Sequence, residues 1–377
     1  MNRVLWIDLI RVVGAFLVIA IHVCGRVVGG YAVHDSDADF SGTLGWLVAR
    51  CIQYLSSSVA VPLFIMVSGA LLLGRHEEAI LFYRKRFSKI LLPFFAWSCV
   101  FIFCLWIAGR SLNDGTPITL FNAVGALLSG NVSGHFWFMY LLISLYMIAP
   151  FLSVFVRHAS KNMLTCFLVI WFCATVIFPF CNNIAKTTLG ITDIYFHSFQ
   201  FAFGFHWIGL FVAGYFLKDC LIPKWWAVIG IGILFYLGMA VPINMYLLKV
   251  YPDSSLTFPL VCMQKYLFPI ISHQATLSLI AFLALRSLGD IPSLESSRLG
   301  RMVIHTAPLT FGIYLCHHII LIPTMGVLDK ILGLGSCESW IVVLCAVPTL
   351  TVFFYFTAAG LVYLIRQNQY LKFCFAP

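Results

Sequence analysis

Residues 5–24 read LWIDLIRVVGAFLVIAIHVC, an apolar stretch that contains the ionisable side chains of Asp8, Arg11 and His22. A stretch of this length spans a bilayer as an α-helix. Ionisable residues inside such a helix are costly and are usually functional. Arg11 and His22 are eleven residues apart, so they lie on one face of the helix, about 16 Å apart along its axis. We therefore expect this face to perform two tasks at two depths in the membrane.

The composition is that of an integral membrane protein. The 377 residues are 61% hydrophobic and 10% charged, with a mean hydropathy of +0.97, which leaves too few polar side chains to cover a soluble globule of this size. Apolar runs of about 20 residues recur along the chain, without the period-two alternation of a membrane β-barrel. The sequence predicts an all-α polytopic membrane protein with a single domain at residues 1–377.

The apolar runs predict about ten transmembrane helices. Their approximate bounds are 4–26, 45–73, 89–108, 135–156, 163–181, 196–217, 225–248, 257–285, 303–325 and 339–365. With a cytoplasmic N-terminus, 15 of the 23 Lys and Arg residues fall in inner loops and 5 in outer loops. This asymmetry predicts that both termini are cytoplasmic. The net charge of +9 suits anionic lipid at the inner surface better than nucleic acid.

A basic segment follows the second predicted helix, where an inner loop at residues 75–89 contains Arg84, Lys85, Arg86 and Lys89. Such a loop is ordinary on the cytoplasmic side of a membrane protein. Closely spaced Arg and Lys side chains also bind phosphate oxygens well. The segment is therefore either a topology signal or a phosphate clamp for a cytosolic anionic ligand.

The second predicted helix contains Pro62, Ser68 and Gly69 near its inner end. Proline frees a backbone carbonyl, and the small pair allows another backbone or a thin ligand to approach closely. The motif is also common in helix packing within membranes.

Several polar residues are predicted at the depth of His22. His135 begins the fourth helix at about that level, and Lys265 and one of the pair His317 and His318 fall at a similar depth in the eighth and ninth helices. In one interpretation these groups hydrogen-bond across helices as a structural network; in the other they form a reactive centre. Asp8 stands three residues before Arg11 and is predicted to pair with it.

No metal site is predicted from the sequence. The thirteen cysteines include no CxxC pair, and no Cys/His spacing resembles a zinc site.

Five segments together resemble the membrane acyltransferase type 3 family over essentially the whole chain. They are WIDLIR at 6–11 followed by His22, VPLFIMVSG at 61–69, RKRFSKILLP at 84–93, HFWF at 135–138 and GIYLCH at 312–317. Within that family the chain is most similar to compact O-acetyltransferases of bacterial surface polysaccharide, such as the enzyme that modifies enterobacterial common antigen.

The resemblance implies a ten-helix enzyme of the bacterial inner membrane. It implies transfer of an acyl group, usually acetyl, from cytosolic acyl-CoA to a hydroxyl of an extracytoplasmic glycan or a lipid-linked sugar. Acyl-CoA would be a substrate, and no permanently bound cofactor is expected. The oligomeric state, the acceptor sugar and the acyl length stay open.

Residues of this chain take expected roles under that resemblance. The CoA phosphates are expected on Arg84, Arg86 and Lys89, with Arg11 nearer the membrane interior, and the pantetheine arm is expected to pass Ser68. The thioester would then meet the residue at the outer end of the first helix.

That residue is His22, and imidazole suits the chemistry because its unperturbed pKa of about 6.5 lets it accept a proton near neutral pH. His22 is expected either to act as a general base on the acceptor hydroxyl or to form an acyl-imidazole. His135, Lys265, Tyr314 or His317 would stabilise the oxyanion or align the acceptor.

Two other function classes compete with the enzyme. The first is a proton-coupled transporter or flippase of a polar or lipid-linked solute, with His22, Lys265 and His317 as a proton relay. The second is a sensor or assembly partner within a polysaccharide machine.

Overall fold

The computed structural model describes residues 4–27, 44–112, 115–178, 204–220, 223–234, 271–332 and 339–375. All regular structure in these residues is helical. The helices in chain order are α1 (Leu5–Val27), α2 (Leu44–Leu72), α3 (Ala79–Ile107), α4 (Leu120–Ser129), α5 (Trp137–His158), α6 (Lys161–Phe172), α7 (Gly204–Leu217), α8 (Trp225–Leu234), α9 (Ile271–Gly289), α10 (Pro292–Ser296), α11 (Arg298–Thr306), α12 (Thr310–Leu332), α13 (Trp340–Gln367) and α14 (Gln369–Phe375). One short 3₁₀ turn, Gly134–Phe136, leads into α5, and another, Ala307–Leu309, joins α11 to α12.

The predicted helical membrane protein is confirmed. Among the described residues, six helical spans are long and apolar enough to cross a bilayer: Leu5–Val27, Val48–Leu72, Ala79–Ile107, Gly134–His158, Arg298–Ile331 and Trp340–Gln367. Shorter apolar helices mark four of the other predicted spans, whose remaining residues lie outside the described ranges. The total of about ten spans and the membrane side of each terminus stay predictions.

Helix α3 begins ten residues earlier than predicted, at Ala79 instead of residue 89. The basic segment is therefore the first part of a helix and not a loop. Aromatic packing accounts for the difference: Phe82 is buried against the ring of Tyr146, and the Tyr83 hydroxyl donates to the backbone carbonyl of Met147 at 2.7 Å. These contacts with α5 stabilise helix outside the apolar run from which the boundary was predicted.

The first helix lies in the interior of the bundle. It packs against α2, α9, α12 and α13, so little of its surface is left to contact lipid. Ile10, Ile19 and Val23 are fully buried, and His22 is buried beside them. The face predicted to carry both Arg11 and His22 therefore points into protein.

Glycines allow α2 and α7 to cross at backbone contact. A Cβ atom at Gly69 would overlap the backbone carbonyl of Phe211, and one at Gly214 would overlap that of Met66. Reciprocal small residues of this kind are typical of close helix packing in membranes. The close approach predicted at Gly69 is thus made by another backbone and not by a ligand.

Candidate active site

Four buried histidines from three segments form one cluster. His22 comes from the second half of α1, His135 from the turn before α5, and His317 and His318 from α12. The ring centroid of His22 lies 4.2 Å from that of His318, 5.1 Å from that of His317 and 6.3 Å from that of His135. The rings of His317 and His318 both lie within 5 Å of the His135 ring. We call this group the histidine cluster.

Hydrogen bonds orient the cluster. The Nδ1 atom of His317 lies 2.7 Å from the backbone carbonyl of Tyr314. Because a carbonyl oxygen only accepts, Nδ1 carries the proton and Nε2 presents its lone pair to the cluster. Ser133 Oγ lies 2.9 Å from Nδ1 of His135, and the Tyr314 hydroxyl donates to the His135 backbone carbonyl. The turn before α5 is therefore tied directly to α12.

Aromatic rings enclose one side of the cluster. The ring of Phe136 lies 4.3 Å from that of His135, and the ring of Phe101 lies 5.3 Å from it. Both phenylalanines are buried. This wall limits the space available beside the histidines and gives them a surrounding of low dielectric constant.

A cavity of about 440 Å³ is lined by a group of cations and by Tyr314, whose hydroxyl donates to the His135 carbonyl. Its cations are Arg11, Lys89 and Arg366, and Tyr314 belongs to the same wall. The other lining residues are Phe64, Ser68, Ile90, Phe138, Leu142, Tyr146, Ala307, Pro308, Thr310 and Phe311. The described lining thus contains three cations and no carboxylate, which favours an anionic ligand. We call this space the cationic cavity.

The structure brings together three of the five predicted CoA-binding residues. Arg11, Ser68 and Lys89 share the cationic cavity, whereas Arg84 and Arg86 are not part of its lining. Successive residues on a helix point about 100° apart, so the basic segment of α3 presents its charges in different directions. Any contact of Arg84 or Arg86 with CoA remains a prediction.

An acidic residue occupies part of the basic segment. Glu77 accepts a hydrogen bond from Lys85 at 2.8 Å and pairs with Arg86 at 3.6 Å. The hydrogen bond from Lys85, together with the nearby positive charges, lowers the pKa of Glu77. This carboxylate therefore stays ionised at neutral pH and competes for both cations.

The predicted site role of Lys265 and the predicted ion pair between Asp8 and Arg11 both stay predictions. Lys265 lies outside the described residues. Asp8 is buried in the first turns of α1, and its ion pair with Arg11 stays a prediction.

Sequence reasoning missed four residues of the site. The sequence predicts only one of His317 and His318 at the depth of His22, whereas both rings lie in the cluster. Ser133, Tyr146 and Arg366 were not singled out. Arg366 had one usable signal, since it is a cation in the last turn of an apolar helix.

A family model described as an acyltransferase domain matches residues 4–363. The chain belongs to the membrane acyltransferase type 3 family. No curated protein and no solved structure shows significant similarity to it. Family membership makes the protein an acyltransferase that crosses the membrane several times, and it favours the enzyme over the transporter, the flippase and the assembly partner.

Proposed function

We propose that the protein transfers an acetyl group from cytosolic acyl-CoA to a hydroxyl of an extracytoplasmic or lipid-linked surface polysaccharide. The proposed location is the inner membrane of a bacterium. The observation that carries the proposal is the cationic cavity, whose lining combines three cations with Tyr314, a residue bonded to the histidine cluster.

The two ends of acyl-CoA match the two parts of this cavity. The CoA moiety carries several phosphate charges at one end and a thioester at the other. Arg11, Lys89 and Arg366 would bind phosphate through charge-assisted hydrogen bonds. The neutral pantetheine arm would then run along the apolar wall past Ser68 toward Tyr314. Because the Cβ position of Gly69 is filled by the carbonyl of Phe211, the arm passes Ser68 and not Gly69.

His22 is the proposed base of the transfer. It removes the proton from the acceptor hydroxyl while the hydroxyl oxygen attacks the carbonyl carbon of the thioester. The carbon–sulfur bond breaks, the acyl group stays on the sugar oxygen, and the CoA thiolate takes the proton from His22. In the covalent alternative, the imidazole nitrogen of His22 attacks the thioester carbonyl and expels the CoA thiolate. The sugar hydroxyl then attacks the acyl-imidazole, the carbon–nitrogen bond breaks, and the hydroxyl proton passes to the released imidazole.

The enclosed cluster supports a small acyl group. Phe101 and Phe136 pack against the ring of His135, and Phe138 packs against that of Tyr314 at 5.4 Å. An acetyl group needs less space beside these rings than a long acyl chain. His135 lies in the turn before α5, at the end of that helix away from His158, and this position suits an acceptor that arrives from the side away from the donor phosphates.

The test uses inverted membrane vesicles with labelled acetyl-CoA and measures the label in the surface glycan fraction. Replacing His22 by Ala should lower transfer by a factor of about 10² to 10⁴, because a positioned base contributes that much. His206→Ala is the matched control, since His206 is a buried histidine on α7 outside the cluster. Unimpaired transfer by the His22 variant contradicts the proposal.

The same vesicles separate the two chemical routes. Rapid denaturation at neutral pH before the acceptor reacts should leave label on the wild-type chain if an acyl-imidazole forms, and none on His22→Ala. Wild-type protein that turns over without acquiring label supports the general-base route.

A further inference from the structure

We propose that His22, His317 and His318 form a binding site for a transition-metal ion of the zinc class, and that occupation of this site stops acyl transfer. The donor atoms of the three imidazoles all lie within 4.8 Å of one another. All three side chains are buried. Sequence motifs for metal sites depend on ligands that lie close together in the chain. Such motifs do not predict this site, because its ligands come from α1 and α12, almost 300 positions apart.

Two of the three histidines have a ring nitrogen without a hydrogen-bond partner. Nε2 of His317 and Nε2 of His318 are buried and make no hydrogen bond, and the two residues are 1% and 6% exposed. The other nitrogen of His317 is engaged by the Tyr314 carbonyl at 2.7 Å, and that of His318 lies 3.5 Å from Ser133 Oγ. Metal-ligating histidines usually show this division, in which one nitrogen is fixed by an outer partner and the other is left for the metal.

The spacing of the rings suits tetrahedral coordination. Zinc–nitrogen bonds of about 2.0–2.1 Å place the nitrogen atoms of a tetrahedral site roughly 3.3 Å apart. The donor atoms, which lie within 4.8 Å of one another, therefore need to approach by at most about 1.5 Å. His135 offers a fourth donor, because its Nε2 is also buried without a hydrogen bond and its ring lies 4.3 Å from that of His318.

The chemistry of the donors selects the class of metal and the strength of binding. Imidazole suits zinc, copper and nickel and binds magnesium or calcium poorly. No carboxylate is part of the described cluster, and Asp8 stands 14 residues before His22, about 21 Å away along α1. A divalent charge buried among neutral ligands is not compensated. This uncompensated charge weakens binding relative to a site with carboxylate or thiolate ligands.

Inhibition follows from competition for one lone pair. A nitrogen of His22 that coordinates a metal cannot accept the hydroxyl proton or attack the thioester. This step rests on the proposed role of His22 in acyl transfer, whereas metal binding itself does not.

The first measurement is zinc binding by purified full-length protein that has been treated with a chelator and dialysed. Titration against a chromophoric zinc indicator should give one site per chain in the wild type. His317→Asn and His318→Asn should each weaken zinc binding by at least about tenfold, since loss of a mere outer-shell partner already costs about 10–100-fold, while His206→Asn should bind as the wild type does. Cobalt(II) should give the visible absorption of a tetrahedral nitrogen site. Equal zinc affinity in the wild type and in both cluster variants, with all chains folded by thermal unfolding, overturns the site.

The second measurement is acyl transfer in vesicles with and without zinc. Wild-type activity should fall as the site fills and return when the chelator is added. Zinc that binds without lowering activity overturns the inhibitory role, and activation of chelator-treated protein by zinc does so too. If no acyl-CoA supports transfer by metal-free protein, the proposed function fails while the binding result still decides the metal site.

Discussion

Arg366 lies in the last turn of α13, partly buried, and its guanidinium donates to the backbone carbonyl of Pro308 at 2.8 Å. That bond fixes the side chain in the wall of the cationic cavity beside Arg11 and Lys89. A fixed guanidinium loses less conformational entropy when it binds phosphate than a free one does. Arg366 should therefore contribute to donor affinity although no motif contains it.

Replacing Arg366 by Gln should raise KM for acyl-CoA about tenfold with a small change in kcat. The reason is that a hydrogen bond to a charged group is worth about 1.5–3 kcal/mol, and the phosphate is distant from the reacting carbon. Steady-state kinetics in vesicles measures both constants. Lys372→Gln, which removes an exposed cation from α14, is the control for net charge. An unchanged KM in the Arg366 variant would remove this residue from the donor site.

At the scale of elements, the first turns of α3 show what hydropathy can and cannot predict. The boundary at residue 89 marks where the chain becomes apolar, because hydropathy measures immersion in lipid. The helix itself begins at Ala79, since the rings of Phe82 and Tyr83 pack on α5. The helical segment directs Lys89 into the cavity while Lys85 and Arg86 bind Glu77.

Replacing Glu77 by Gln should lower KM for acyl-CoA about twofold to threefold if Arg86 contacts the donor. The carboxylate now pairs with Arg86 at 3.6 Å, and ion pairs at a protein surface are worth roughly 0.2–1 kcal/mol. Glu78→Gln removes the same charge from an exposed neighbouring position, so it controls for the local potential. An equal KM in the Glu77 and Glu78 variants would exclude a contact between Arg86 and the donor. The basic segment would then be only a topology signal.

For the histidine cluster, the sequence predicts the depth of each side chain in the membrane but not which helices face one another. The predicted topology places His135, Lys265 and one of the two histidines His317 and His318 at the depth of His22. The structure brings the rings of His22, His135, His317 and His318 together. Depth follows from counting residues from a helix end. Which helices face one another does not, because it depends on packing between segments far apart in the chain. For this reason the sequence predicts neither that His317 and His318 both lie in the cluster nor that Arg366 lines the cationic cavity.

At the scale of the whole molecule, the cationic cavity relates the two ends of the chain. Arg11 lies near the start of α1 and Arg366 near the end of α13, yet both line this one cavity. The start of the first helix and the end of the last long helix therefore lie at the same end of the bundle. Among the described residues, α14 then returns to α3, where the Trp97 indole donates to the Phe375 carbonyl at 3.1 Å.

This arrangement predicts that both termini face the cytoplasm. Predicted inner loops contain 15 Lys and Arg residues against 5 in outer loops, and such an excess holds loops on the cytoplasmic side. A fluorescent protein fused after Pro377 should fluoresce, and alkaline phosphatase fused there should be inactive. A phosphatase fusion at Gly130, in the outer segment before α5, should be active and serves as the opposite control. Active phosphatase at Pro377 would place the cationic cavity on the side of the membrane that lacks acyl-CoA, so it would contradict both the topology and the proposed donor.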